Sequence, residues 1–483
     1  MTSEGAKSER RGGWLLPAAL VVSAVVALRL GALAFDRTDL FVDEAQYWLW
    51  GQRLDFGYYS KPPLIGWLLR AVTDLAGSSD PFWVRMPGAV LHGLTALILG
   101  ALGARIGGAR AGLAAAVLYI TLPFVALGSW LISTDTVMAP FFALALLFFW
   151  RAGESRAPRE GAMAGLAIGL AFMAKYAALY FWGGAALAML LVPARRIGWR
   201  ALGAMLGAFA LVIAPNVVWN LTHKLTTLEH TLDNVGWVRA GAGANIASMA
   251  EFFGAQFAVF GPVTFAVLLW GFTRLGDPVK RALAALSILP LVAVTAQAFL
   301  GKAQANWAVA AYFAGTVLVA LLLSRRALLG ALALNLLACL AVPVLSVFAP
   351  GLGPDDKPWM KRYLGRAELS TRILDLARAE GLPVYAQDRD ILADLFYTGR
   401  DQVGPGGVTV YAPPPGARAH NYYEQNFALP RDYRGKVLAV LPAPLTCGAG
   451  DLPPAANLNG AGTWAGKGIT PYVVDAECLH AAP

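Results

Sequence analysis

The sequence predicts a polytopic α-helical membrane protein of about eleven spans, followed by a small soluble α/β domain. Three observations predict it. Hydrophobic residues make up 57% of the 483-residue chain and charged residues only 14%, where a soluble chain carries about 25% charge; the mean hydropathy is +0.54. Apolar stretches recur at about 20 residues, the length a helix needs to cross roughly 30 Å of hydrocarbon. Arginines gather at alternate connections between those stretches, as the positive-inside rule requires. The net charge of +9 sits mostly in those short loops. It reads as topological bias and not as a nucleic-acid footprint.

Residues 1–13 form a polar cytoplasmic tail with Lys7, Arg10 and Arg11. The apolar run 14–35 is longer than the core of about 7–15 residues in a signal peptide, so it is read as a retained span despite Ala32-Leu33-Ala34. Arg29 inside it either snorkels to the outer interface or faces a polar cavity. Residues 36–83 form a long first periplasmic loop. Its Trp48, Trp50, Tyr58, Tyr59, Trp67 and Trp83 suit short helices lying among lipid headgroups. Further spans read 84–104, 110–129, 135–151, 160–174, 177–193, 200–219, 251–273, 282–299, 306–323 and 327–348. With the N-terminus inside, the inner loops hold Arg105/Arg110, Arg151/Arg156/Arg159, Arg195/Arg196/Arg200, Arg274/Lys280/Arg281 and Arg325/Arg326. The transmembrane domain is therefore 14–349, and 350–483 is a periplasmic soluble domain. That tail reads as a helix from Arg366 to Glu380, then strands at 383–387, 408–412 and 436–441, with heavy Pro and Gly punctuation. Cys447 and Cys478 lie in it and are expected to pair if it is outside the cytoplasm. Cys339 sits in an apolar span and reads as packing.

This register puts an unusual charge set on the outer side. Asp43, Glu44 and Lys61 fall in the first loop, beside the aromatic Tyr58-Tyr59 pair. Asp135 opens the fourth span, in Ser-Thr-Asp-Thr, where it either caps the helix or serves a site. Lys175 occupies the short turn between spans five and six. Lys302, Gln304, Asn306 and Trp307 occupy the turn before span ten. Lysines on that side have no topological reason to be there, and charges at the membrane are usually paired and functional. Such a set suits transfer from a lipid phosphate. Lysines neutralise the embedded anion and the charge on the departing phosphate. A carboxylate takes the proton of an attacking hydroxyl. Gly-Leu-Gly-Pro at 351–354 and Gly-Pro-Gly-Gly at 404–407 look like turns and not nucleotide cradles.

Phe-Val-Asp-Glu-Ala-Gln-Tyr-Trp-Leu-Trp from Phe41, then Tyr-Tyr-Ser-Lys-Pro-Pro-Leu from Tyr58, Ser-Thr-Asp-Thr from Ser133, and Gly-Leu-Ala-Phe-Met-Ala-Lys-Tyr from Gly169 resemble the bacterial branch of the protein O-mannosyltransferase and aminoarabinose-transferase superfamily. These are polyprenyl-phosphate-sugar glycosyltransferases of the C-type fold. The resemblance covers roughly 15–320. It implies Asp43 as catalytic base with Glu44 beside it, and Asp135 shaping the site. It also implies Lys61 and Lys175 as contacts to the lipid phosphate, and direct displacement with inversion. Tyr59, Lys302, Asn306 and Arg29 complete the expected substrate-binding set. Aminoarabinose transferases carry an acid before the Lys-Pro-Pro motif that helps bind zinc; here it is Ser60. His223, Glu229 and His230 leave a weak metal site imaginable, but no structural-zinc ligand spacing is present. No cofactor or required metal is expected, and aminoarabinose is disfavoured as the sugar.

The expected function is an inverting glycosyltransferase of the bacterial inner membrane, its active site facing the periplasm. It takes a sugar from undecaprenyl phosphate or another polyprenyl phosphate. The first acceptor choice is lipid A, core or another glycolipid; the second is a protein hydroxyl. A flippase or transporter is the rival class, but it calls for mid-span charges and inverted repeats, and no such duplication is visible. A third class is a sensor or assembly protein working through 350–483.

Overall fold

The computed structural model describes residues 13–235, 243–354, 357–416, 418–441, 444–447, 450–458 and 460–481. Apart from Gly13, the expected N-terminal tail lies outside the described residues.

The first apolar run forms α1 (Leu15–Ala34). The first loop holds two helices, α2 (Val42–Gly51) and the amphipathic α3 (Leu64–Ala76), which ends at Gly77 with φ 63°. Next, α4 (Pro81–Thr121) contains two limbs turned at Gly108, whose φ of 78° only glycine adopts freely. The limbs pack so closely that a Cβ at Gly103 would meet the Ala111 carbonyl at 2.8 Å. The chain continues through α5 (Pro123–Trp130), α6 (Thr134–Ser155), α7 (Pro158–Ala174), a 3-10 turn at Tyr176–Leu179, α8 (Tyr180–Leu191), α9 (Trp199–Thr222) and α10 (Thr226–Val235). Then α11 (Ile246–Val259) and α12 (Pro262–Gly271) meet at a bend of 112°. After them come α13 (Pro278–Leu300), a 3-10 turn at Ala305–Ala308, α14 (Ala310–Leu322) and α15 (Arg325–Val347).

Each of the eleven apolar segments marked in the sequence falls on one of these helices, on one limb of α4 with α5, or on a helix pair. By length and composition alone, six helices among the described residues are fit to cross a membrane, or seven if the α11–α12 pair is one span. The count is lower because α4 is taken once, and because α7, α8 and α14 have only 17, 12 and 13 residues.

A stripe of small residues sets the tightest helix pair. Gly161, Gly165 and Gly169, four apart on α7, lie against α9; a Cβ at Gly161 or Gly165 would stand 2.0 or 2.1 Å from the carbonyl oxygen of Ala201 or Met205. Lipid supplies little hydrophobic drive between helices, so close backbone approach does that work.

The tail folds as an α/β unit. It contains α16 (Arg366–Glu380), β1 (Val384–Ala386), α17 (Arg389–Thr398), β2 (Val410–Tyr411), α18 (Tyr422–Asn426), β3 (Lys436–Leu441), a ribbon of β4 (Thr446–Cys447) and β5 (Gly450–Asp451), β6 (Thr470–Asp475) and α19 (Ala476–Ala481). The sheet order is β2-β1-β3-β6, with β1 parallel to both neighbours and β6 antiparallel to β3. The sequence reading marked α16 and the first three strands but not α17 or β6. Cys447 and Cys478 are joined in a disulfide, Cα atoms 5.7 Å apart.

The first loop is clasped between the helical bundle and this unit. The Arg366 amide donates to Asp39 (2.8 Å), the Tyr397 hydroxyl to the Ser79 carbonyl (2.6 Å) and the Tyr59 hydroxyl to the Ala419 carbonyl (3.0 Å). The Trp48 and Tyr397 rings meet edge to face at 5.2 Å. Loop 36–83 thus touches both bodies, with α2 buried and residues 52–56 exposed.

Candidate active site

Buried ionic scaffolding places α2. Arg85, wholly buried near the start of α4, donates to Glu44 (2.8 Å), Asp36 (2.7 Å), the Thr38 hydroxyl (2.8 Å) and the Asp39 carbonyl (2.7 Å). Glu44 is only 1% exposed. Its oxygens also accept the amides of Phe41 (2.9 Å) and Ile132 (3.0 Å). Both oxygens are taken, so Glu44 acts as a positioning residue that caps α2 and ties it to α4 and the start of α6. The acid pair divides its labour. Glu44 points back into the scaffold, and Asp43, one residue earlier on α2, keeps a side chain that is 45% exposed.

Asp43 accepts from Arg389, the first residue of α17 in the tail domain. The other side of that guanidinium reaches Gln46 (3.0 Å), three residues on from Asp43. Burial lowers the proton affinity of Arg389, but the Asp43 carboxylate outweighs it and holds the guanidinium above its ordinary value. Tyr47 lies a further residue along α2. Burial first, and Asp43 second, push its phenol well above the usual range.

Asp135 sits in the first turn of α6. Ser133 does the capping, accepting the Thr136 amide at 3.3 Å, so Asp135 is spared for the site. Both of its oxygens accept from Lys175 Nζ at 2.7 Å, and one also accepts from Asn306 Nδ2 at 2.9 Å. Lys175 arrives from the extended residue that ends α7, and Asn306 from the 3-10 turn before α14.

Lys61 is within electrostatic reach of both pairs. Burial lowers the proton affinity of its ammonium; Lys175 lowers it further, while Asp43 and Asp135 raise it, leaving it below the ordinary lysine value. Among the described residues, no carboxylate stands within ion-pair distance of Lys61 Nζ. A desolvated cation without a counter-ion, next to two carboxylates that are each already engaged, is a place for an anion.

The fold therefore brings Asp43, Lys61, Asp135, Lys175 and Asn306 into one neighbourhood and leaves other expected residues apart. Arg29, buried in α1, donates to Ser129 (2.9 Å), the Ile120 carbonyl (2.7 Å) and Cys339 Sγ (3.2 Å). None of these belongs to the cluster, so Arg29 pins α1 to the α4–α5 corner and α15. The Tyr59 hydroxyl is spent on the tail domain. Lys302 is exposed on the turn after α13. Sequence reasoning missed Arg389, Gln46, Tyr47 and the Arg85 scaffold. Arg85 is a basic residue at the outer start of a span, where the positive-inside rule gives it no place. That signal was available; none marked Arg389.

The residues present do not fit a structural zinc. Among those described, no three His, Cys, Asp or Glu side chains gather. His223 stacks on Trp219 at 4.2 Å, His230 packs on the Tyr59 ring at 4.9 Å, and Glu229 faces Arg418 at 3.4 Å.

The chain is similar to several known proteins. The family model for dolichyl-phosphate-mannose-protein mannosyltransferase matches residues 60–219. The lipid A galacturonosyltransferase RgtD of Rhizobium johnstonii is 41% identical over 470 residues, which is 95% of this chain and 98% of that protein. ArnT of Cupriavidus metallidurans in its apo state superposes with a TM-score of 0.67 at 13% identity, over 98% of this chain and 99% of that one. The same protein bound to undecaprenyl phosphate gives 0.60 at 14% identity, over 89% and 93%. At that identity the likeness is one of fold.

Proposed function

We propose that this chain, which belongs to the bacterial polyprenyl-phosphate-sugar glycosyltransferases of the protein O-mannosyltransferase and aminoarabinose-transferase superfamily, moves a galacturonosyl group from polyprenyl phosphate to lipid A on the periplasmic face of the inner membrane. The sugar and acceptor rest on the extent of its identity to RgtD. The lipid-phosphate donor rests on one observation: the half-buried Lys61 ammonium, which has no carboxylate at ion-pair distance among the described residues and feels both Asp43 and Asp135. The undecaprenyl phosphate seen on an ArnT of the same fold supports it.

In this reading the donor phosphodiester sits on Lys61, flanked by Lys175. An acceptor hydroxyl approaches the anomeric carbon from the opposite face, and Asp43 takes its proton. The new carbon–oxygen bond forms as the bond to the phosphate oxygen breaks, and the electron pair leaves with the phosphate. Lys61 and Lys175 stabilise the charge that builds there. One displacement inverts the anomeric centre, leaving polyprenyl phosphate and a protonated Asp43. Asp135 and Asn306 hold Lys175 in place.

The test compares wild type with Asp43→Asn, scored by mass spectrometry of envelope glycolipids and by transfer in detergent. The variant is expected to lose transfer by about 100-fold or more, the scale of one general base, while still inserting and binding polyprenyl phosphate. Transfer at the wild-type rate removes Asp43 as base. A protein acceptor is the second reading, favoured by the description of the family model over 60–219. Sugar found on envelope proteins, with lipid A unchanged, would select it.

A further inference from the structure

We infer that Arg389 is the residue through which the site recognises the carboxylate of a uronosyl donor, and that this contact releases Asp43 from its ion pair. The inference rests on the galacturonosyl reading above and assigns the specificity of that same site.

Charge balance within the cluster leads to it. Lys175 is neutralised by Asp135, Arg389 is paired with Asp43, and Lys61 has no counter-ion among the described residues. A polyprenyl-phosphate-linked neutral sugar carries one negative charge, which Lys61, flanked by the Asp135-paired Lys175, can meet. A uronosyl donor carries a second, and that carboxylate needs a second cation. Arg389 is suited to it. Its guanidinium is a planar fork that matches a carboxylate, it is 38% exposed, and its Asp43 partner is 45% exposed. It enters beside the base.

A docking role explains Arg389 poorly. The tail domain is already fastened to the first loop through Asp39, Ser79, Ala419 and the Trp48–Tyr397 rings. An ion pair on the base also opposes its task, because the Asp43 oxygen that holds Arg389 is not free to take a proton from the acceptor. That cost disappears if the substrate's own carboxylate takes the fork when it binds.

The test measures the affinity of the full chain in nanodiscs for three probes: polyprenyl-phosphate galacturonate, its carboxyl-reduced galactosyl counterpart, and polyprenyl phosphate alone. Wild type is expected to prefer the uronosyl probe by about 10-fold or more, the scale of one charge-assisted hydrogen bond. Arg389→Gln should abolish that preference and bind polyprenyl phosphate alone within about twofold of wild type, which also reports its fold. Asp43→Asn should strengthen the preference, because nothing competes for the fork. The double variant Asp43→Asn, Arg389→Gln should show none. A return of the preference in the double variant means that Arg389 only screens Asp43, and overturns the inference. So does a preference that survives Arg389→Gln, is lost instead in Lys302→Ala, or is absent from wild type while wild type still transfers galacturonate. Failure of wild type to transfer galacturonate at all refutes the underlying reading instead.

Discussion

Lys61 stands in the least ordinary environment of the cluster, and its chemistry sets a pH dependence. Only the ammonium form attracts phosphate, and burial with Lys175 nearby makes its proton easier to lose than that of a free lysine. Affinity for polyprenyl phosphate should therefore fall as pH rises, at a lower pH than an unperturbed lysine would give. Bound phosphate pulls in the other direction, so the titration must be read from the free protein. Lys61→Arg should move the loss to higher pH, since arginine stays protonated. Lys61→Ala should weaken binding by about 10-fold or more at neutral pH. A binding curve for wild type that is flat across the alkaline range would refute the lysine assignment. The acid pair was legible in the sequence only as a pair. Its division of labour depends on Arg85, which leaves Glu44 with no free oxygen.

The α7–α9 pair shows how local composition becomes geometry at the level of elements. Glycines at 161, 165 and 169 recur every four residues, which aligns them on one face. Only the structure shows what that face meets: the carbonyls of α9. Gly165→Ala must force the helices apart or bend α7, at a cost of about 1–3 kcal/mol. Because α7 carries Lys175 at its end, the same shift should disturb the Asp135–Lys175 pair. Gly207→Ala on α9 has nothing within 4 Å and serves as the control. Thermal unfolding in detergent should separate the two, with Gly165→Ala melting lower and Gly207→Ala matching wild type. Equal melting temperatures would mean that α7 and α9 do not touch through this stripe. Capping follows the same pattern. From the sequence Asp135 reads as either a cap or a site residue, and the choice of Ser133 as cap is what releases it.

Across the whole molecule, three layers build the site: the helical bundle, the first loop and the tail domain. The bundle supplies Asp135, Lys175 and Asn306; the loop supplies Asp43 and Lys61; the tail supplies Arg389. All six residues must lie on one side of the membrane, and the arginine-rich connections on the other. Alkaline phosphatase fused after residue 349 should be active in the periplasm, and a fusion after Arg325 should be silent. The reverse pattern would put the site in the cytoplasm and end the reading. Alternate arginine-rich turns make this topology the expected one, because insertion responds to charge counted locally.

The sequence by itself determined which segments are apolar, where charge accumulates between them, and that acids and lysines share one face. Those properties come from composition over a short window, so no partner is needed to read them. Only the tertiary structure decided which charges pair. Asp43 and Arg389 are 346 residues apart, and Asp135 and Asn306 are 171 apart. Contacts at that range arise from how the tail docks and how the helices pack, and they leave no spacing in the chain. The same packing set Arg29 and Glu44 to holding the fold and left Lys61 without a carboxylate partner among the described residues.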